Sequence, residues 1–267
     1  MVGQIKLQQI IDKYIATTFP RTLLLEGPRG CGKHMLCNII AEKMSLEVSD
    51  ITETLSLETI EDIMLSTSPK IYIIDTTHIS IREQNIILKF LEEPLKNAYI
   101  LVLCESKSNL IQTVINRCLV LSFDAYTVGE LKTFLKEGVS EDLLQFCNTP
   151  GIVLELQDSP FQSMISLATQ IFQKLRQASY SNVLSIPNKV YYKEPKKDLL
   201  DFDLFIYILL TISYQEYVKG TITFNEYDYT DKFYNACRIK NINKQQLFEH
   251  YVIALKRFYE GEPLDEI

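Results

Sequence analysis

The stretch at residues 70–118, KIYIIDTTHISIREQNIILKFLEEPLKNAYILVLCESKSNLIQTVINRC, decides the fold. It contains an apolar run that ends at Asp75, a segment with apolar residues at helical spacing that ends at Pro94, and a second apolar run at 99–104. Short apolar runs are typical of strands that are buried on both faces of a parallel sheet. The segment between them is typical of an amphipathic helix. The order strand, helix, strand predicts a βαβ unit.

The helix in this unit has clear sequence boundaries. Ser80 and Glu83 form a capping-box pattern at its start, in which each side chain bonds the backbone N–H of the other. Pro94 cannot continue a helix because it lacks a backbone N–H. The sequence therefore predicts a helix over residues 81–93.

Further elements follow on both sides of this unit. Towards the N-terminus the apolar spacing predicts a helix at 2–18, a buried strand at 21–26, a helix at 33–44, a strand at 46–49 and a helix at 57–65. Towards the C-terminus it predicts a strand at 119–123 and then helices only, with a polar, proline-containing loop at 185–197. Strands that alternate with helices predict an α/β fold with a doubly wound parallel sheet. We expect three parts: an α/β core at 1–124, a small helical lid at 125–158 and an all-α domain at 159–267.

Composition excludes several classes of protein. The chain has 267 residues, 46% of them hydrophobic, and a formal net charge of −7, which argues against a broad basic surface that coats DNA. Its apolar runs are too short to span a membrane and its N-terminus does not read as a signal peptide, so we expect a cytoplasmic protein without membrane contact. Six cysteines and three histidines show neither a CxxC pair nor metal-ligand spacing. We expect reduced thiols and no zinc.

A glycine-rich phosphate loop lies between the first predicted strand and the following helix. Glycines allow successive backbone N–H groups to face phosphate oxygens, and the N-terminus of the helix adds a favourable dipole. The pattern is GxxxxGK, in the strand-to-helix context that gives it meaning. The residues expected to bind nucleotide are Gly27, Pro28, Gly30, Cys31, Gly32, Lys33 and His34.

At two positions the residue type differs from that of a working ATPase. His34 stands where Ser or Thr normally gives a hydroxyl to Mg²⁺, and imidazole is a poor ligand for that ion. Asp75, at a strand end, is a candidate to hold Mg²⁺ through water. The next residue is Thr76, which is not basic enough to activate water near neutral pH, although ATPases of this kind carry a Glu there. We expect ATP or ADP, with or without Mg²⁺, to be bound and hydrolysis to be slow or absent.

These motifs resemble bacterial clamp-loader subunits of DNA polymerase III, which are AAA+ proteins, and most closely the delta-prime branch of that family. The resemblance is specific over residues 1–158, because several motifs occur in the family's order, and it is architectural only over 159–267. The four-cysteine zinc insert of the family is missing, and the lid segment at 152–156 has no basic residue. The motifs that carry the resemblance are Val2-Gly3-Gln4, the phosphate loop, Asn85-x-x-Leu88-Lys89-x-Leu91-Glu92-Glu93-Pro94, Thr113 with Asn116-Arg117-Cys118, and Thr149-Pro150-Gly151.

The resemblance implies a role in DNA replication. A subunit of this kind sits in a pentameric ring with ATPase subunits and a delta-like subunit, and the ring places the sliding clamp on primed DNA. The C-terminal helices would form a collar that holds the ring together. Arg117 would be an arginine finger that reaches the ATP site of the adjacent subunit and stabilises charge on the transferred phosphoryl group. The alternative for Arg117 is a structural arginine satisfied by local carboxylates.

Other functions remain open from the sequence. One is a catalytically active clamp-loader ATPase with unusual motor residues. Another is a nucleotide-independent scaffold whose phosphate loop is a relic, which His34 makes a serious candidate. An AAA+ initiator or helicase-loading protein fits less well, because residues 91–94 followed by 116–118 are not its usual signature.

Overall fold

A computed structural model describes residues 2–92, 97–177, 179–191, 201–239 and 242–264. The chain divides into two compact units. The first contains residues 1–137 and 147–153, and the second contains 138–146 and 154–267. Each unit is described by itself below.

The first unit is built on a five-stranded parallel sheet with the strand order β2-β3-β4-β1-β5. β1 pairs with β4 on one side and β5 on the other, in the registers Leu23↔Leu101 and Leu23↔Leu119. All pairs are parallel, as the alternation of strands and helices predicted. The strands are β1 (Thr22–Glu26), β2 (Glu47–Asp50), β3 (Lys70–Asp75), β4 (Ala98–Cys104) and β5 (Leu119–Ser122).

Helices cover both faces of this sheet. Leu23 and Leu25 belong to one buried cluster, and Leu24, between them, belongs to the cluster on the other face. All three side chains are completely buried, as expected of a central strand in a doubly wound sheet. The helices are α1 (Ile5–Ala16), α2 (Lys33–Met44), α3 (Leu57–Leu65), α4 (Ile81–Glu92), α5 (Gln112–Ile115) and α6 (Val128–Lys132).

The predicted capping box at the start of α4 is confirmed. The N–H of Ser80 donates to Glu83 Oε2 at 2.7 Å, and the N–H of Glu83 donates to Ser80 Oγ at 3.3 Å. Of the motif at the end of this helix, Leu91 and Glu92 are described, whereas Glu93 and Pro94 lie outside the described residues. The structure therefore describes α4 as far as Glu92.

The second unit is helical over its described residues. Its core includes a cluster of aromatic rings: the ring of Phe233 stacks on Tyr251 at 4.3 Å between centroids, and Phe205 meets Phe248 edge-on at 5.8 Å. A short 3-10 helix (Glu141–Phe146) precedes α7 (Pro150–Gln157), whose first residues belong to the first unit. The helices that follow are α8 (Phe161–Lys174), α9 (Tyr180–Tyr191), α10 (Phe202–Val218), α11 (Phe224–Ala236) and α12 (Lys244–Tyr259).

The prediction of a loop at 185–197 is wrong for residues 185–191, which continue α9. Proline costs an interior helical hydrogen bond, yet α9 packs against α12 and its Val183 is completely buried. This packing outweighs the local preference of Pro187. Residues 192–197 lie outside the described residues.

Candidate functional site

The glycine-rich loop follows β1 directly and ends at the N-terminus of α2, as predicted. Gly30 has a φ of 76° and Gly32 a φ of 102°, which are left-handed conformations that residues with a side chain rarely adopt. Gly32 is also the N-cap of α2. The backbone therefore has the form of an anion-binding loop at a helix N-terminus.

The carbonyl oxygens of residues 27–32 all accept hydrogen bonds from this chain. Lys33 is 7% exposed, and its Nζ donates to the carbonyls of Gly27 at 2.5 Å and Pro28 at 3.2 Å. The other donors are Thr149 Oγ1 to Arg29, the N–H of Gly151 to Gly30, Tyr126 Oη to Cys31 and the N–H of Leu36 to Gly32. With every carbonyl bonded, the loop is held in one conformation.

Within the tripeptide Thr149-Pro150-Gly151, Thr149 and Gly151 contact this loop directly. A Cβ added to Gly151 would lie 2.5 Å from the Cα of Gly30, so glycine is required for the close approach of the two backbones. The sequence identified this tripeptide only as part of a lid. Its hydroxyl and amide donors to the loop could not be read from the sequence, because residues 29 and 149 are 120 positions apart.

His34 lies beside two carboxylates at the carboxyl edge of the sheet. Its Nε2 is 3.7 Å from Asp50 Oδ2 and 4.0 Å from Asp75 Oδ2. Asp75 Oδ1 accepts hydrogen bonds from both the N–H and the hydroxyl of Thr77, at 2.9 and 2.6 Å. Asp50, at the end of β2, was not among the predicted site residues, although its position at a strand end was a usable signal.

These side chains do not form a good site for a magnesium ion. Mg²⁺ prefers hard oxygen ligands in octahedral geometry. Here an imidazole stands at the usual hydroxyl position, and Asp75 is already bonded to Thr77. Across the described ranges, no three His, Cys, Asp or Glu side chains are grouped so as to hold a metal ion.

Thr76 stands where such ATPases carry a catalytic carboxylate. Its side chain is buried, and its hydroxyl donates to the carbonyl of Leu103 on β4 at 2.8 Å. Its backbone N–H donates to the same carbonyl at 2.8 Å. The residue therefore links β3 to β4 and has no basic group to offer a water molecule.

Glu26, at the end of β1, was not among the predicted site residues either. Its carboxylate accepts hydrogen bonds from the N–H of Lys107 at 3.0 Å and from Ser122 Oγ at 2.8 Å. The bond from the Lys107 backbone is the main cause that lowers the pKa of this carboxyl group below its usual value. Glu26 thus joins β1 to the segment after β4 and to β5.

Arg117 lies at the opposite edge of the sheet from the phosphate loop. Its carbonyl accepts a hydrogen bond from Thr22 Oγ1, at the first residue of β1, at 2.6 Å, whereas the loop begins after the last residue of that strand. β1 has five residues, which rise about 16 Å. The Arg117 side chain is 35% exposed, and its guanidinium donates to Glu92 Oε1 at 2.8 Å and to the carbonyl of Thr113 at 2.9 Å.

The predicted site residues therefore form two groups. The phosphate loop, His34 and Asp75 come together at the carboxyl edge of the sheet. Arg117 lies apart from them at the amino edge. One chain of this fold thus presents the glycine-rich loop at one edge of the sheet and the partly exposed side chain of Arg117 at the other.

The comparisons with known proteins concern both sequence and fold. Residues 42–127 match the family model described as DNA polymerase III, delta subunit, a segment that includes Asp75 and Arg117 but not the phosphate loop. No curated protein matches the chain. Among the described residues, no helix combines the length and apolarity that a membrane crossing needs.

Solved structures of RuvB from Thermotoga maritima are similar in fold. The structure described as the Holliday junction branch migration motor has a TM-score of 0.51 and 16% sequence identity, covering 82% of this chain and 77% of that chain. A structure of a point mutant of the same RuvB has a TM-score of 0.52 and 16% identity, covering 82% of this chain and 78% of that chain. The likeness shows the fold, an α/β core with a parallel sheet followed by a helical C-terminal part.

Proposed function

We propose, from the match of residues 42–127 to the family model described as DNA polymerase III, delta subunit, that this chain is a delta-prime-like subunit of the clamp loader. In this role it is a structural AAA+ member that hydrolyses little or no ATP. It donates Arg117 to the ATP site of a neighbouring ATPase subunit while the loader places the sliding clamp on DNA.

The position of Arg117 is the observation that carries the proposal. The guanidinium lies at the amino edge of the sheet and the chain's own phosphate loop lies at the carboxyl edge, with the length of β1 between them. Arg117 cannot serve a nucleotide in its own loop across about 16 Å. A ring of similar subunits would bring this edge against the phosphate loop of the next subunit, where a guanidinium stabilises charge on the transferred phosphoryl group.

The chain's own phosphate site supports the lack of intrinsic hydrolysis. Thr76 has its hydroxyl bonded to Leu103, and His34 stands where a hydroxyl would contact Mg²⁺. Each change removes a different requirement of ATP hydrolysis: the group that activates water and the group that holds the metal. Binding of ATP or ADP at residues 27–34 is part of the proposal, whereas a magnesium ion held by Asp75 is not, because Asp75 is already bonded to Thr77 and His34 is a poor ligand for this ion.

A nucleotide-independent scaffold is the second candidate, and the position of Lys33 favours it. Its Nζ bonds the carbonyls of Gly27 and Pro28 and must leave them to reach a phosphate. Titration calorimetry with ATP, with and without Mg²⁺, separates the two candidates, because a relic loop binds neither form. An active ATPase would instead hydrolyse ATP faster than its Lys33→Ala variant.

The proposal includes the organisation and partners of the chain. The core at 1–124, the lid at 125–158 and the collar at 159–267 would together form one member of a pentameric ring. Its partners would be the ATPase subunits, a delta-like subunit, the sliding clamp and, through the assembly, primed DNA. The compartment would be the cytoplasm, where the replication machinery works.

Substitution of Arg117 tests the proposal. In a loader reconstituted with its own ATPase subunits, Arg117→Ala should slow DNA-stimulated ATP hydrolysis by about tenfold or more, because arginine fingers contribute large factors to this chemistry. Arg21→Ala is the matched control: Arg21 precedes β1 at the same edge of the sheet and lies 4.5 Å from the ring centroid of Tyr99. Arg117→Ala with full activity, in a loader that still assembles, would rule out the finger.

A further inference from the structure

The guanidinium of Arg117 is held on two sides. Nη2 donates to Glu92 Oε1 at 2.8 Å and Nη1 donates to the carbonyl of Thr113 at 2.9 Å. Thr113 belongs to α5, four residues before Arg117, whereas Glu92 is the last described residue of α4 and lies 25 positions away. The two bonds fix the plane of the guanidinium and leave its remaining N–H groups for another acceptor.

The position of Glu92 is set by α4, which is fixed against the segment that leads to Arg117. Gln84, near the start of α4, is 4% exposed. Its Nε2 donates to the carbonyl of Asn109 at 3.1 Å, and its Oε1 accepts from the N–H of Ile111 at 2.8 Å. The helix is thus bonded to this segment before α5 by Gln84 and after α5 by Glu92. Glu92 is therefore presented to Arg117 by a rigid element and not by a loop.

A free arginine side chain samples many rotamers, and the loss of this rotamer entropy opposes its fixation at one position. A partner that already holds the guanidinium in place removes much of this cost before the reaction. The pair is partly exposed, at 35% for Arg117 and 53% for Glu92, so it contributes little to the stability of the chain. The ion pair therefore matters more for the orientation of the Arg117 side chain than for the free energy of unfolding.

We propose that Glu92 is the positioning residue of Arg117: its carboxylate holds the guanidinium in the orientation in which the remaining N–H groups meet the phosphoryl group in the neighbouring subunit. This inference rests on the proposed function of Arg117. It assigns to the glutamate at the end of α4 a part in the neighbour's ATP hydrolysis, although Glu92 itself touches no nucleotide.

The test uses Glu92→Ala and Glu92→Gln in the loader reconstituted with its ATPase subunits and primed DNA. Glu92→Ala should lower kcat for ATP hydrolysis by about tenfold and change KM by less than about twofold, because the neighbour still binds ATP but the finger is misplaced. Glu92→Gln should keep most of the activity, because its amide oxygen accepts the same hydrogen bond. In the Arg117→Ala background, Glu92→Ala should have no further effect.

The matched control is Glu61→Ala. Glu61 pairs with Lys89, on the same helix α4, at 2.9 Å, and both side chains are exposed, but the pair does not include Arg117. Its removal should leave kcat within about twofold of the wild type, since exposed ion pairs contribute little. A loss of activity in Glu61→Ala equal to that in Glu92→Ala would mean that any disturbance of α4 has this effect, and it would overturn the proposal.

The isolated chain gives a second measurement. Nuclear magnetic resonance of the arginine side chains should show slower rotation of the Arg117 guanidinium in the wild type than in Glu92→Ala. If Arg117→Ala leaves the loader fully active, the proposed function fails and the positioning role fails with it. If Arg117→Ala slows the loader but Glu92→Ala does not, or accelerates it, only the positioning role is overturned.

Discussion

Gly151 donates its backbone N–H to the carbonyl of Gly30 at 2.9 Å, and their Cα atoms are so close that a Cβ on Gly151 would lie 2.5 Å from the Cα of Gly30. This contact joins the first turn of α7 to the phosphate loop within the first unit. Thr149, two residues earlier, bonds the carbonyl of Arg29. The conformation of the loop therefore depends on a segment that lies far away in the sequence.

Gly151→Ala should destabilise the chain, by about 1–3 kcal/mol in the free energy of unfolding, because the added methyl group forces the two backbones apart. Gly129, in α6, is the matched control, since an added Cβ there meets nothing within 4 Å. Gly129→Ala should stabilise by about 0.4–1 kcal/mol, as expected for a helical glycine. Because the chain has no tryptophan whose fluorescence could report unfolding, urea unfolding is followed by circular dichroism. An equal, stabilising effect of both substitutions would contradict the close contact.

Lys33→Ala should also destabilise the chain in the absence of nucleotide. The side chain of Lys33 is buried and donates to two loop carbonyls, so its removal leaves the carbonyls of Gly27 and Pro28 without this donor. We expect a loss of about 1–2 kcal/mol. Lys43→Ala, which breaks an exposed ion pair with Asp12, should cost about 0.2–1 kcal/mol. If Lys33→Ala were as stable as the wild type in urea, the lysine would not hold the empty loop.

The fold of the first unit could be predicted because its signals are local. Apolar runs marked β1 and β3, and Ser80 with Glu83 marked the start of α4. The position of Arg117 opposite the phosphate loop also follows from a parallel sheet, since Arg117 precedes β5 whereas the loop follows β1.

The contacts that shape the site could not be predicted in this way. Tyr126 bonds the carbonyl of Cys31 across 95 positions, and Glu92 bonds Arg117 across 25. Both depend on which faces meet after folding, and a single sequence does not contain that information.

In the second unit, the bounds of one helix were missed for a different reason. The bounds of α11 were not predicted, although Thr223 and Glu226 form a capping box at its start, as Thr127 and Glu130 do at the start of α6. Its buried face consists of Glu226, Tyr229, Thr230 and Phe233, which does not read as an apolar stripe. Thr230 is accommodated because its hydroxyl is paired with that of Tyr251 at 2.8 Å. Hydrophobic periodicity alone misses a helix whose buried face is half polar.

Glu26 makes the free energy of unfolding of the first unit depend on pH in the acidic range. Hydrogen bonds, chiefly from the N–H of Lys107, lower the pKa of its carboxyl group in the folded chain. Its stabilisation is therefore complete above the unfolded pKa, about 4.3, and is lost as the pH falls through the lower folded pKa. Glu26→Gln should reduce the free energy of unfolding by about 1 kcal/mol at pH 7, and the difference from the wild type should shrink towards pH 2. Urea midpoints of both proteins at several pH values measure this. As a control, Glu42→Gln, at an exposed position on α2, should have nearly the same free energy of unfolding as the wild type at every pH. If the loss of free energy of unfolding in Glu26→Gln stays constant down to pH 2, the charge of Glu26 is not what stabilises the sheet.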